Sequence, residues 1–271
     1  MALDWLPWAV GLVLVAIIVW LLLLDGALVI FPPRSHWKRK KKVFCLGLSR
    51  TGTTSISVAL HTLGYHVHHF CPYLARFARA GSDELVVDTR YADAFDAQTD
   101  IAPALVYRDL ARLYPNALFV LTTRPREKWG AAMVRFCAKH RRMFQTLPFP
   151  DTDRYFTAMY GAWATMDANE WAAVYDKHVA EVAAFFDAEG KDRLLQLAVT
   201  RGEGYAQLLP FLDRHDPGAV APAPHRPRAG APFPHVDVFH LSAFRQPWWQ
   251  LQSLAQRLLP GWLLPRALQH P

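Results

Sequence analysis

Cysteine is scarce in this chain: Cys45, Cys71 and Cys137 are the only three in 271 residues, and no two form a Cys-x-x-Cys pair. An odd, widely spaced set excludes a disulfide framework and suits a reducing compartment. Charge is missing from Trp5 to Leu24, twenty positions without Asp, Glu, Lys or Arg. A helix of that length crosses a bilayer core, and Trp5, Trp8 and Trp20 suit the interfacial belts. Met1 to Asp4 lacks Lys and Arg, and no small-residue cleavage site follows the apolar run, which argues against a cleaved signal peptide. Acid is absent in turn from Arg34 to Lys42, where Arg34, Lys38, Arg39, Lys40, Lys41 and Lys42 supply six of the seven net positive charges. The basic balance is therefore a local flank of the span, and a nucleic-acid-binding surface is disfavoured. By the positive-inside rule the flank puts the following domain on the cytoplasmic face.

The run from Val43 to Gly64, VFCLGLSRTGTTSISVALHTLG, reads as an apolar strand, a turn rich in glycine and hydroxyls, and a helix. Such a turn gathers backbone N–H groups and the positive end of the helix dipole at one place, which suits phosphate or sulfate. Against the pattern G-x-x-x-x-G-K-[ST], Gly47 and Gly52 fall correctly, but Thr53 stands where the lysine belongs. Arg50 lies inside the turn and offers a guanidinium, with Thr51, Thr53, Thr54 and Ser55 adding hydroxyl donors. The next convincing strand, Ala117 to Thr123, ends in Arg124 instead of a magnesium-binding acid. Two arginines at two strand ends suit a ligand with phosphates at two places.

These segments resemble the sulfotransferases that use 3'-phosphoadenosine 5'-phosphosulfate, and most closely their small branch with an arginine in the loop. SRTGTTS, Ser49 to Ser55, is similar to the loop that binds the 5'-phosphosulfate, and LTTRPREKW, Leu121 to Trp129, to the turn that binds the 3'-phosphate through Arg124. YHVHHF (Tyr65 to Phe70), TDIAPALVYRDL (Thr99 to Leu110), AVTRGEGYAQLLPFL (Ala198 to Leu212) and FPHVD (Phe233 to Asp237) follow in the same order. The resemblance implies a P-loop-like parallel α/β sheet flanked by helices, sulfuryl transfer to a hydroxyl or amine, and Thr200 lying along the nucleoside, although a plain turn uses the same residues. Two departures stand out: Ala132 replaces the serine usual eight residues beyond the arginine, and Pro103 sits one place later than usual after Asp100.

The transferred group carries less negative charge than a phosphoryl group, so no divalent metal is demanded. For the base that receives the acceptor proton, Asp100 and His69 compete, and Asp100 also suits a helix cap. His66 and His68 share a strand face without a third metal ligand in view. Two other functions compete: a nucleotide-binding membrane scaffold with little turnover, suggested by Ala132 and Pro103, and a kinase or NTPase, which wants the missing lysine and acid.

Alternating strands and helices predict a parallel sheet with ligands beyond the strands' carboxyl ends. Strands are expected over Val43–Leu48, Tyr65–Phe70, Ala117–Thr123 and Arg193–Val199. Helices are expected over Thr53–Leu63, Pro103–Leu113, Glu127–Cys137, Asp153–Met166, Asn169–Ala188 and Glu203–Leu212. The stretches Tyr73 to Arg90 and Phe144 to Tyr160 are the expected lining of an acceptor pocket for a small molecule, lipid or carbohydrate. The chain divides into an anchor (1–33), a basic linker (34–42), a sulfotransferase-like domain (43–240) and a tail (241–271). The tail's Leu251, Leu254 and Leu258 form one apolar helix face, which packs on the domain or rests on a membrane.

Overall fold

The computed structural model describes residues 41–70, 74–79, 81–146, 152–218 and 226–235. Within them five strands form one parallel sheet, β1 (Val43–Cys45), β2 (Val67–His69), β5 (Ala97–Thr99), β6 (Leu118–Thr122) and β7 (Leu194–Leu197), in the order β2-β5-β1-β6-β7. A separate antiparallel hairpin joins β3 (Ala75–Phe77) to β4 (Leu85–Val87). The helices are α1 (Thr53–Thr62), α2 (Thr89–Asp93), α3 (Ile101–Leu105), α4 (Tyr107–Leu113), α5 (Arg126–Thr146), α6 (Thr152–Tyr160), α7 (Ala168–Glu189) and α8 (Tyr205–His215).

The apolar character of β1 and β6 follows from their central place, because a parallel strand covered on both faces needs apolar side chains in both directions. Every residue of VFC and LFVLT is buried. Phe44, Phe119 and Leu121 join Leu110 and Phe186 on one face. Val43, Cys45, Leu118 and Val120 join Leu60, Leu208 and Leu212 on the other. A third cluster of Leu48, Ile101, Trp129, Tyr160, Trp171 and Tyr175 is fed by residues just past β1 and β5, and so seals the carboxyl edge. Burying side chains of this size stabilises each by roughly 1.5–3 kcal/mol relative to exposure.

Helix α7 begins with a capping box: the Asp167 carboxylate accepts from the amides of Asn169 and Glu170, and Glu170 accepts from the Asp167 amide. It meets α5 at Gly130, where a Cβ would come within 2.4 Å of the Ala168 carbonyl oxygen. Only glycine permits that approach, and it draws α7 against the turn carrying Arg124.

Several expectations change in detail. The helix expected over Pro103–Leu113 is two short ones, because Val106 leaves the helical region at φ −120°, ψ 23°. Ala102, Val106 and Leu110 share one core cluster, so the break lets both pieces face the same packing. α5 runs to Thr146, well past Cys137. Strand β5, with sequence AQT, was not expected; its Gln98 is fully buried, and its Nε2 donates to the Tyr91 carbonyl (3.2 Å). Lys42, read as linker, is part of the fold: its ammonium donates to the carbonyls of Ala92 (2.7 Å) in the last turn of α2 and Phe95 (3.0 Å) just past it. The Lys41 amide donates to Asp216 Oδ2 (2.6 Å).

The two stretches expected to line an acceptor pocket meet where they are described. Tyr155 donates to the Ala75 carbonyl, its ring stacks on Phe77 at 5.4 Å, and Arg154 donates to the Ser82 carbonyl (2.6 Å). Among the described residues no helix is long and apolar enough to cross a membrane. The expected span at Trp5–Leu24, the cluster from Arg34 to Lys40, and the tail over 241–271 lie outside the described residues.

Candidate active site

β1 pairs with β5 on one side and β6 on the other, so the chain leaves the sheet after β1 at the point where the strand order reverses. In open parallel sheets the crevice at such a point is the ligand site. The loop that fills it is shaped by two glycines and one unusual arginine. A Cβ on Gly47 would fall 1.7 Å from Thr122 Oγ1, and Gly52 takes φ 106° against Val199. Arg50 also has a positive φ, 69°, a left-handed conformation uncommon for a residue with a side chain.

Ser49 and Thr51 brace this loop. The Ser49 amide donates to Tyr160 Oη (3.2 Å), its carbonyl accepts from Trp129 Nε1 (2.8 Å), and its hydroxyl donates to Asp100 Oδ1 (3.0 Å). The Thr51 amide and hydroxyl both donate to the Leu48 carbonyl, and Thr122 Oγ1 lies 2.6 Å from Thr51 Oγ1. The Thr51 hydroxyl is thus engaged within the loop. The groups available to an anion include the amides that open α1. The first bond of that helix runs from Ile56 N–H to the Gly52 carbonyl, so the amides of Thr53 and Thr54 lie ahead of the first helical bond. Gly52, at the N-cap of α1, supplies no side-chain cap, and the first turn holds no acid.

Arg124 reaches this place from the end of β6. Its Nη1 donates to the Arg50 carbonyl (3.0 Å), and its amide donates to Tyr175 Oη (2.9 Å). Its Nε is buried without a hydrogen-bond partner among the described residues. Burial, then the charges of Arg50 and Arg135, lower its pKa from the ordinary guanidinium value. The Arg50 guanidinium lies 5.6 Å from the Phe136 ring of α5. Cations brought together at an uncapped helix start are electrostatically costly alone and favourable around an anion. Phosphate-bearing ligands fit this donor set.

The base candidates lie beside it. His69 Nε2 is 3.2 Å from Thr54 Oγ1 and 3.7 Å from Asp100 Oδ2, while its Nδ1 is 2.8 Å from Thr99 Oγ1 and 3.3 Å from Ser57 Oγ. Asp100 does not cap α3 with its side chain. At φ 81°, ψ −154° it occupies a region that is nearly glycine-only and costs about 1–3 kcal/mol, with its carboxylate turned to Ser49 and His69. His66 and His68 face away from this network and pack against Phe95. His68 also bonds Tyr91 Oη, and burial pushes its pKa down to about 3.

The remaining candidates sit at the margin. Thr200 is exposed in a short 3-10 turn whose Val199 packs on Gly52. Ala132 is buried in the second turn of α5. Sequence reasoning missed Trp129 and Tyr160, which brace Ser49, and Tyr175, which holds the Arg124 amide. It also passed over Ser57 and Thr99; Ser57 sits one helical turn past Thr53, a spacing that could have singled it out.

An uncapped, arginine-bearing loop at the switch point of a parallel sheet, without the nucleotidase lysine, defines a class of anion-handling α/β domains. This chain belongs to the sulfotransferases: residues 42–238 match the family described as Sulfotransferase domain. It is a sulfotransferase, and its chemistry is sulfuryl transfer. Comparison with curated proteins finds no match.

Proposed function

We propose that the enzyme transfers the sulfuryl group of 3'-phosphoadenosine 5'-phosphosulfate to an acceptor hydroxyl or amine. The observation that carries this reading is the convergence of Arg50, Arg124 and the uncapped start of α1. When bound, the co-substrate supplies sulfur whose bond to the bridging phosphate oxygen breaks as the acceptor heteroatom bonds to it, the electron pair staying with the phosphate. The amides of Thr53 and Thr54 with Arg50 hold that phosphate and offset the charge it gains. Arg124 holds the 3'-phosphate, and Thr200 borders the nucleoside. His69 takes the acceptor proton at Nε2, and Asp100 steadies the imidazolium from 3.7 Å.

Calorimetry with 3'-phosphoadenosine 5'-phosphate and adenosine 5'-phosphate, run beside a labelled-sulfate transfer screen over phenols, sugars and lipids, tests the proposal. Tighter binding of the bisphosphate together with transfer supports it. Equal binding of the two nucleotides overturns the 3'-phosphate assignment, and binding without transfer favours the scaffold alternative.

The charge pattern supports a single-pass anchor at Trp5–Leu24 with the catalytic domain on the cytoplasmic side. Glycans gained at an Asn-x-Ser site introduced after Gly218 would place the domain in the Golgi lumen instead.

A further inference from the structure

The hydroxyl contacts behind His69 contain more information than their distances, because each hydroxyl has one proton to give. Ser57 Oγ lies 2.7 Å from the Thr53 carbonyl, an acceptor only, so the Ser57 proton points there. Ser57 Oγ is also 2.7 Å from Thr99 Oγ1, and with its own proton engaged it accepts from Thr99. Thr99 Oγ1 has then given its proton away. Its 2.8 Å contact with His69 Nδ1 is a hydrogen bond only if Nδ1 bears the hydrogen. The reverse direction, Ser57 to Thr99 to Nδ1, strips the proton from the 2.7 Å contact between Ser57 and the Thr53 carbonyl and leaves two oxygen lone pairs facing each other.

We infer that Ser57 and Thr99 are positioning residues that hold neutral His69 as the Nδ1–H tautomer, leaving the Nε2 lone pair toward Thr54 and Asp100. The inference deepens, and rests on, the reading of His69 as the base. A carboxylate often orients a catalytic imidazole by accepting from its second nitrogen. Here a chain of two hydroxyls ending on a helix carbonyl does that work from behind, and the carboxylate stands on the reactive side. Asp100 Oδ2, 3.7 Å from Nε2, is too far for a hydrogen bond but close enough to stabilise the cation formed when Nε2 takes a proton. Thr54 Oγ1 donates to Nε2 until an acceptor replaces it. The charged group facing His69 from β5 is Asp100; His68, its neighbour on β2, lies on the opposite face and stays neutral above about pH 3.

The test reads the tautomer directly. Protein labelled with nitrogen-15 at histidine, with His69 assigned by loss of its signals in His69→Gln, is expected to show a protonated Nδ1 and a bare Nε2 in the neutral ring. Thr99→Val, which keeps the side-chain shape and removes the proton relay, is expected to mix the tautomers. It should also lower kcat roughly tenfold with the KM for the nucleotide unchanged, and Thr99→Ser should restore both. A wild-type ring protonated at Nε2 overturns the inference, as does a Thr99→Val protein with the wild-type tautomer. The wild-type spectrum decides the matter even if Thr99→Val does not fold. A correct tautomer in a protein that transfers no sulfuryl group to any acceptor would sink the functional reading while leaving the tautomer assignment in place.

Discussion

The anion side and the proton side of this crevice touch at Ser49 and Thr54, yet they are built by different means. The anion side is made mostly of backbone: successive amides at the start of α1, two glycines that let the loop close, and two arginines. The proton side is made of side chains from three elements: His69 on β2, Thr99 at the end of β5 and Ser57 on α1, linked by hydrogen bonds of 2.7–3.3 Å, with Asp100 3.7 Å from His69. Backbone donors need one short stretch in the right conformation, whereas a directed proton path needs several strands in register. Damage to the first should weaken charge stabilisation and binding; damage to the second should slow turnover and leave binding alone.

Arg50→Ala is the strongest test of that contrast. It should lower kcat by about two orders of magnitude or more with the circular dichroism spectrum unchanged, since a preorganised charge on the departing phosphate is lost. Wild-type turnover would remove Arg50 from the mechanism. His69→Gln should lower kcat by about 100-fold while calorimetry shows unchanged affinity for 3'-phosphoadenosine 5'-phosphate. If affinity falls as well, the two sides are not separable.

Smaller effects refine the picture. Gly47→Ala must displace Thr122 and with it the partner of Thr51, so its urea midpoint should report a loss of about 1–3 kcal/mol, and an unchanged midpoint would mean the loop is not packed as described. Ala132→Ser should tighten binding of 3'-phosphoadenosine 5'-phosphate by roughly 1–1.5 kcal/mol and leave adenosine 5'-phosphosulfate unaffected. Equal effects on both ligands would count against the placement of Arg124. His68 gives the most specific effect. Its folded pKa lies below its unfolded one, so the unfolded chain binds the extra proton between about pH 6.5 and about pH 3. Its contribution to stability is present above that window and is lost as pH falls through it, by up to about 1.4 kcal/mol per pH unit. His68→Phe should flatten the pH dependence of the urea midpoint between pH 6 and pH 4; an identical slope would refute the assignment.

The same contrast explains what could be read from the sequence. The loop from Gly47 to Ser55 and the arginine after β6 are legible because their residues lie next to one another and their spacing reflects backbone geometry. Central strands β1 and β6 are legible because burial on both faces demands unbroken apolar runs. β5 escapes notice because AQT carries no such run, yet it sits between β1 and β2 and delivers both Thr99 and Asp100. Asp100 reads from sequence either as a base or as a helix cap, because an aspartate before an apolar stretch is often a cap. Its positive φ and its bond to Ser49 depend on contacts that no local pattern encodes. The braces from Tyr160 and Trp129 are hidden for a simpler reason, lying 111 and 80 residues away from Ser49.

Those braces set a limit on portability. Ser49 is gripped at its amide by a phenol and at its carbonyl by an indole, and each grip comes from a helix joined to a buried aromatic cluster. A designer who transplanted Leu48 to Ser55 into another strand–turn–helix unit would carry over the letters and leave the mould behind. The smallest graft that keeps the loop's form includes Trp129 and Tyr160, so the transferable unit is the loop together with the aromatic wall against which it is cast.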